Sequence, residues 1–198
     1  MDVSSVKLYQ DSLFHKRSGD GPTPWHSDAR MAPFDTSKMI SFWIPLMDIP
    51  NGNAGGTGLM FVNGSHNDFA LPFWNSRDGT GTGTSSGTGG EYDRLDERYG
   101  GQEGIEDYMP MDMGDMTAHS GWTLHCAAAG HSGVGEERYA LAVTYVDDMA
   151  EIREDAIASV GVDAAVGPGH DEDRRSYEGW AKDVEPRCYF EHPMVPTL

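Results

Sequence analysis

A chain of 198 residues is long enough to bury one substantial core and suits a single domain spanning 1–198. Its formal net charge of −18 repels phosphate backbones and anionic lipid surfaces, which argues against nucleic acid or a membrane as a partner. No apolar run approaches the roughly 20 residues that span a bilayer, the N-terminus lacks a signal-like pattern, and Cys126 and Cys188 form no CxxC motif, so the expectation is a soluble, cytoplasmic protein.

In chain order, VKLYQDSLFHK at 6–16 alternates apolar and polar residues as a half-buried strand does, and RSGDGPTP then breaks it. WHSDARM follows at once. Residues 39–47, MISFWIPLM, suit a strand buried on both faces, and the turn-rich PNGNAGGTG leads from it to another short strand at 59–62, closed by NGSH. The run GTGTGTSSGTGG at 79–90 offers no apolar side chain to bury and is expected to be a mobile loop. An acidic stretch expected to be helical precedes the turn signal Gly114-Asp115. Strands are then expected over 116–125 and 138–146, with helix formers in an extension from 147 to 198. Many short strands between Gly, Pro and Asn turns point to a mainly β sandwich or barrel, with its core about 6–146.

The chemistry starts at His26 and Asp28. On a strand, side chains at i and i+2 share a face, so this pair could converge on one ion with Ser27 turned away. A second histidine from elsewhere would complete a two-histidine, one-carboxylate facial triad, the set that leaves positions open on non-haem Fe(II). Alone, His-x-Asp is a weak motif.

Its company is specific. WHSDARMAPFDTSKMISFWIPLMDIP, then GLMFVNGSH, then GDMTAHSGWTLHCA, then RYALAVTYV together resemble the phytanoyl-CoA dioxygenase family of Fe(II)/2-oxoglutarate oxygenases. That resemblance implies a double-stranded β-helix, a jelly-roll fold with flanking helices, and an N-terminal helical part shortened here. It also implies Fe(II), 2-oxoglutarate and O2 as cofactors, with a C–H bond of a small molecule hydroxylated as succinate and CO2 are released. Carried over residue by residue, His26, Asp28 and His125 are the implied metal ligands and catalytic centre, with His119 and His131 as competitors for the distal position. Arg138 is implied to hold the distal carboxylate of 2-oxoglutarate, a task suited to a planar guanidinium; the alternative is a pair with Glu136 or Glu137. Trp43 is implied beside the cosubstrate, where core packing would also explain an aromatic.

The stretch YQDSLFHK is similar to ectoine hydroxylases, which implies substrate contact for Gln10 and cosubstrate contact for Lys16; a solvated strand face would explain both equally. Cys126 reads as a buried apolar thiol, and His66 as a structural or hydrogen-bonding residue. Asp28, absent from family members that halogenate, favours hydroxylation. The expected substrate is a neutral or cationic small molecule, the oligomeric state is open, and a sheet face left uncovered would favour self-association. The competing reading is a non-catalytic jelly-roll or cupin-like protein that holds a metal or ligand without turnover.

Overall fold

The computed structural model describes residues 2–68, 95, 99, 104–129, 137–154, 156 and 177–198. Among the described residues the named elements follow in order: β1 (Val6–Lys16), β2 (Thr23–His26), α1 (Asp28–Met31), β3 (Phe34–Asp35), β4 (Met39–Pro45), β5 (Leu59–Val62), β6 (Ile105–Glu106), β7 (Thr117–Ser120), β8 (His125–Ala127), β9 (Arg138–Asp147) and β10 (Glu151–Ile152). Two four-stranded antiparallel sheets, β1-β9-β4-β7 and β2-β8-β5-β6, make the mainly β jelly-roll, and β3 with β10 forms a small ribbon. The 79–90 loop lies outside the described residues, as does most of the acidic stretch before Gly114, although Leu95 and Tyr99 are helical.

The strands expected over 6–16, 59–62 and 138–146 are present, the last extended by one residue to Asp147. Two others differ. The 39–47 run ends as a strand at Pro45 and buries only its inward residues, Met39, Ser41, Trp43 and Pro45, while Ile40, Phe42 and Ile44 are half-exposed on the outer face. That face continues across β9 through Leu141, Val143 and Tyr145 to Leu13 of β1, which is exposed. The 116–125 stretch is not one strand. A turn at Gly121–Thr123 divides it, and β7 and β8 join different sheets. Gly121 is required there, because a Cβ would sit 2.8 Å from the Met39 side chain.

The two sheets enclose an apolar cluster of Trp43, Ile49, Leu59, Phe61, Met111, Ala127 and Ala140. A second cluster, Tyr9, Phe34, Met39, Val146, Ile152, Trp180, Phe190 and Val195, joins the C-terminal residues to the sheet. Trp180, on the helical residues 177–181, stacks on Phe34 and Phe190 at centroid separations of 5.9 and 5.6 Å, so the end of the chain packs as core rather than hanging free. Burying an aromatic of this size contributes about 3 kcal/mol. Along β4, Met39 belongs to one cluster and Trp43 to the other, and Ser41 lies between them where the polar residues gather. Among the described residues no helix is long and apolar enough to cross a membrane.

Candidate metal and cosubstrate site

His26 ends β2, paired with His125 at the start of β8. The chain does not continue as a strand to Asp28. Ser27 is extended (φ −127°, ψ 133°) and buried, and Asp28 opens α1. The expectation of two ligands on one strand face is therefore corrected, since convergence comes from a strand-to-helix corner. The corner is pinned by the Ala29 amide, which donates to the Gly121 carbonyl at 2.8 Å, tying α1 to the β7–β8 turn that delivers His125.

The result brings His26, Asp28 and His125 together, with one ligand atom from each lying within 4.8 Å of the others. Asp28 Oδ1 is 3.7 Å from His26 Nε2 and 3.5 Å from His125 Nε2. An ion about 2.1 Å from each donor puts neighbouring ligand atoms roughly 3.0–3.4 Å apart, so a small contraction closes this cage. The tautomers fit as well. His26 Nδ1 bonds the Pro24 carbonyl at 2.8 Å and His125 Nδ1 bonds the Thr123 carbonyl at 3.0 Å. A carbonyl only accepts, so both protons sit on Nδ1 and both Nε2 lone pairs face the carboxylate. Three acceptors converging without a proton between them is the donor set of a divalent cation.

The electrostatics agree. Burial lowers the His125 pKa to about 3, the nearby Asp28 charge opposing the shift only in part, so the imidazole is neutral. Burial pushes Asp28 upward, but the imidazoles of His125 and His119 facing it, with the hydrogen bond from Ser41, outweigh that and keep the carboxyl well below its usual range. Ser41 Oγ donates to Asp28 Oδ2 at 2.5 Å, and His119 Nε2 lies 3.4 Å from that oxygen. His119 thus stands beside the carboxylate but outside the three-residue cluster, and His131 lies outside the described residues.

At the other end of the interior, Lys16 and Arg138 are directly opposed across β1 and β9, and both are buried. Lys16 Nζ donates to the carbonyls of Gly21 (3.1 Å) and Ala128 (2.7 Å), Arg138 Nη1 donates to the Thr57 carbonyl, and Arg138 Nε is buried without a partner. The guanidinium lies 5.2 Å from the Trp43 ring centroid. Burial lowers both cations, Arg138 to about 10, and Arg138 depresses Lys16 further. Glu137 does not neutralise Arg138: it bonds His15 and Tyr139 instead, and Glu136 lies outside the described residues. Two facing buried cations that bond, among the described residues, only to backbone carbonyls repel each other, and an anion with two charged oxygens would relieve both.

Gln10 is half-buried and bonds Ser12 at 3.0 Å, on the row of the sheet that also carries Thr144. Cys126 is buried, with its thiol raised to about 11 by burial, as an inert core thiol should be. His66 bonds the Asn67 side-chain amide at 3.1 Å, and the buried structural contacts of this turn are made by its neighbour. Ser65 is buried, donates to the Val62 carbonyl and accepts from the Leu124 amide, while His66 is exposed. Gly64, at φ +78°, makes the turn that inserts Ser65. Sequence reasoning missed Ser41 and Thr144, because a serine or threonine inside a strand gives no signal until the register is known.

This jelly-roll unites in one interior a His-x-Asp…His cluster that could hold a metal ion and a buried pair of cations. The chain belongs to the phytanoyl-CoA dioxygenase (PhyH) family, whose model matches residues 3–137, and members of that family are Fe/2-oxoglutarate-dependent enzymes. Similar solved structures include the non-heme alpha-ketoglutarate-dependent epimerase SnoN from nogalamycin biosynthesis (21% identity, TM-score 0.61, covering 98% of this chain and 63% of that one). The carbocyclase SnoK from the same biosynthesis is similar at 20% identity and TM-score 0.63, covering 98% of this chain and 62% of that one. EctD from S. alaskensis, crystallised with 2-oxoglutarate and 5-hydroxyectoine, gives 14% identity and TM-score 0.53, covering 75% and 47%. These likenesses establish the fold. This chain spans under two thirds of the length of each. No curated protein matches it.

Proposed function

We propose that this protein is an Fe(II)- and 2-oxoglutarate-dependent dioxygenase that hydroxylates a C–H bond of a small organic molecule. The observation that carries the reading is the buried cation pair, Lys16 and Arg138, in the same interior as the His26–Asp28–His125 cage. The Ala128 carbonyl that Lys16 holds is three residues along from His125, a separation of roughly 10 Å at the rise of a strand. A short diacid chelating the metal through one end and held by Arg138 at the other spans such a gap.

In this reading His26, Asp28 and His125 hold the iron through Nε2, Oδ1 and Nε2. Bound iron supplies activation of O2, coupled to oxidative decarboxylation of 2-oxoglutarate to succinate and CO2. Arg138 grips the distal carboxylate with its planar fork, oriented by the Trp43 ring, and Lys16 adds a second charge. Trp43, Leu59, Phe61 and Ala127 keep the interior dry, which strengthens the ionic contacts. Gln10 is assigned to the substrate side. The substrate is assigned to a cleft of about 530 Å³ beside β7, lined by Phe61, Tyr108, Met111, Asp115, Thr117 and His119, the last of which stands beside the Asp28 carboxylate. Its described lining holds no lysine or arginine, which favours a neutral or cationic substrate over a phosphorylated one.

A passive metal-holding protein shares the triad but has no need of two buried cations. The test is 2-oxoglutarate consumption by protein loaded anaerobically with iron and then exposed to air. Iron-dependent release of succinate by the wild type, absent in His26→Ala, is expected; equal release by both, or none from the loaded wild type, refutes the assignment.

A further inference from the structure

Asp28 has two carboxylate oxygens, and the protein treats them differently. Oδ1 faces His26 and His125, whereas Oδ2 accepts the Ser41 hydroxyl at 2.5 Å. An ionised carboxylate can only accept, so the single Ser41 proton is committed to Oδ2. Ser41 Oγ also lies 3.0 Å from Thr144 Oγ1, in a fully buried contact. With its own proton engaged, Ser41 can only accept there, and Thr144 must be the donor. The direction of the whole chain is thereby fixed: Thr144 to Ser41 to Asp28.

The sheet register builds this chain. Thr144 of β9 is paired with Ser41 of β4, and Ser41 is paired with His119 of β7, so the three side chains form one cross-strand row on the inner face. All three are buried. His119 packs at 4.5 Å from the His125 ring and 5.1 Å from Phe61, filling the space beside Oδ2, and neither of its ring nitrogens makes a well-formed hydrogen bond.

We infer that the Thr144–Ser41 relay is a positioning device that reserves Oδ2, so that Asp28 gives a bound cation one oxygen instead of two. The position that a bidentate carboxylate would take is then left to small ligands. This rests on the reading of His26, Asp28 and His125 as a cation site. Ser41 and Thr144 act through Asp28 and are positioning residues.

Co(II) alone is the probe, titrated into the full chain and followed by its visible absorption, which reports both affinity and coordination. Ser41→Ala should bind Co(II) about 10–100-fold more weakly, the range seen when outer hydrogen-bond partners of metal ligands are removed, with an altered spectrum. Thr144→Val, which keeps the shape but loses the donor, should show a smaller loss with a spectral change of the same kind. Thr144→Ser, which keeps the donor, should match the wild type in both. Because the two Thr144 variants differ only in hydroxyl and methyl groups, they decide the matter even if Ser41→Ala folds poorly. Wild-type affinity and spectrum in Ser41→Ala and Thr144→Val would overturn the relay, as would equal weakening in Thr144→Ser and Thr144→Val. A wild type that takes up Co(II) no better than His26→Ala would instead sink the cation site itself, and the relay with it.

Discussion

At one end of the interior a carboxylate is surrounded by imidazoles and a serine, with its orientation fixed by a hydrogen bond on one oxygen; at the other, two cations face each other, bonded among the described residues to backbone carbonyls beside the Trp43 ring. The first end is preorganised for a cation and the second for an anion. Each holds buried groups whose demands the protein leaves partly unmet: lone pairs pointed at a carboxylate in one case, an unpartnered guanidinium Nε in the other. Stability and function separate here, because the core clusters on either side would pack as well around apolar residues. The contrast shows two complementary needs in one interior, and the proposed function meets both with a metal and a diacid together.

The largest expected effect that sharpens this contrast is at the cation end. Arg138→Ala should weaken 2-oxoglutarate binding by about 100-fold in calorimetry with the metal-loaded protein, since a charge-assisted pair contributes about 3 kcal/mol, yet leave Co(II) affinity unchanged. Arg138→Lys should recover part of the loss, about tenfold short of the wild type, because an ammonium lacks the planar fork. If the Ala variant lost the metal as well, the two ends would not be separable.

Next in size is the coupling of ligands to folding. Cosubstrate at about 100 times its Kd adds about 2.7 kcal/mol, which raises the melting temperature of a chain this long by roughly 5–10 °C. The rise should require metal. A diacid that stabilises the metal-free protein equally would show that the cation end works alone.

Trp43→Phe should weaken 2-oxoglutarate several-fold, measured in the same calorimetry, by thinning the ring face on which Arg138 rests. The smallest effect concerns the far face of β8. Cys126 is buried on β8 itself, next to His125, with its thiol raised to about 11, while Cys188 is exposed. Alkylation at pH 8 followed by mass spectrometry should label Cys188 within minutes and spare Cys126, because only the thiolate reacts.

Much of this was readable beforehand. The long strand at 6–16 announced itself by alternation; of the residues that the resemblance singled out, Lys16, Trp43, His125 and Arg138 are buried, and His26 and Asp28 stand half-buried beside His125. The local path was not readable. His-x-Asp suggested one strand, but the Ala29–Gly121 contact that turns Asp28 into a helix joins residues far apart in sequence. The division of β7 from β8 depends on Gly121 packing against Met39, another distant partner. Ser41 and Thr144 became visible only through the register of β4 and β9, and the docking of Trp180 only through Phe34. Composition locates strands; which side chains meet is decided by pairings that no local window contains.

The central claim is that metal and diacid occupy one continuous site. Titrating 2-oxoglutarate into anaerobic protein with and without one equivalent of Fe(II), and recording the visible charge-transfer absorption of the complex, tests it directly. The account predicts a band that saturates at one 2-oxoglutarate per iron per chain and vanishes in both His26→Ala and Arg138→Ala at the same ligand concentration. A saturating band that survives in Arg138→Ala, or 2-oxoglutarate binding equally tight without iron, would contradict it.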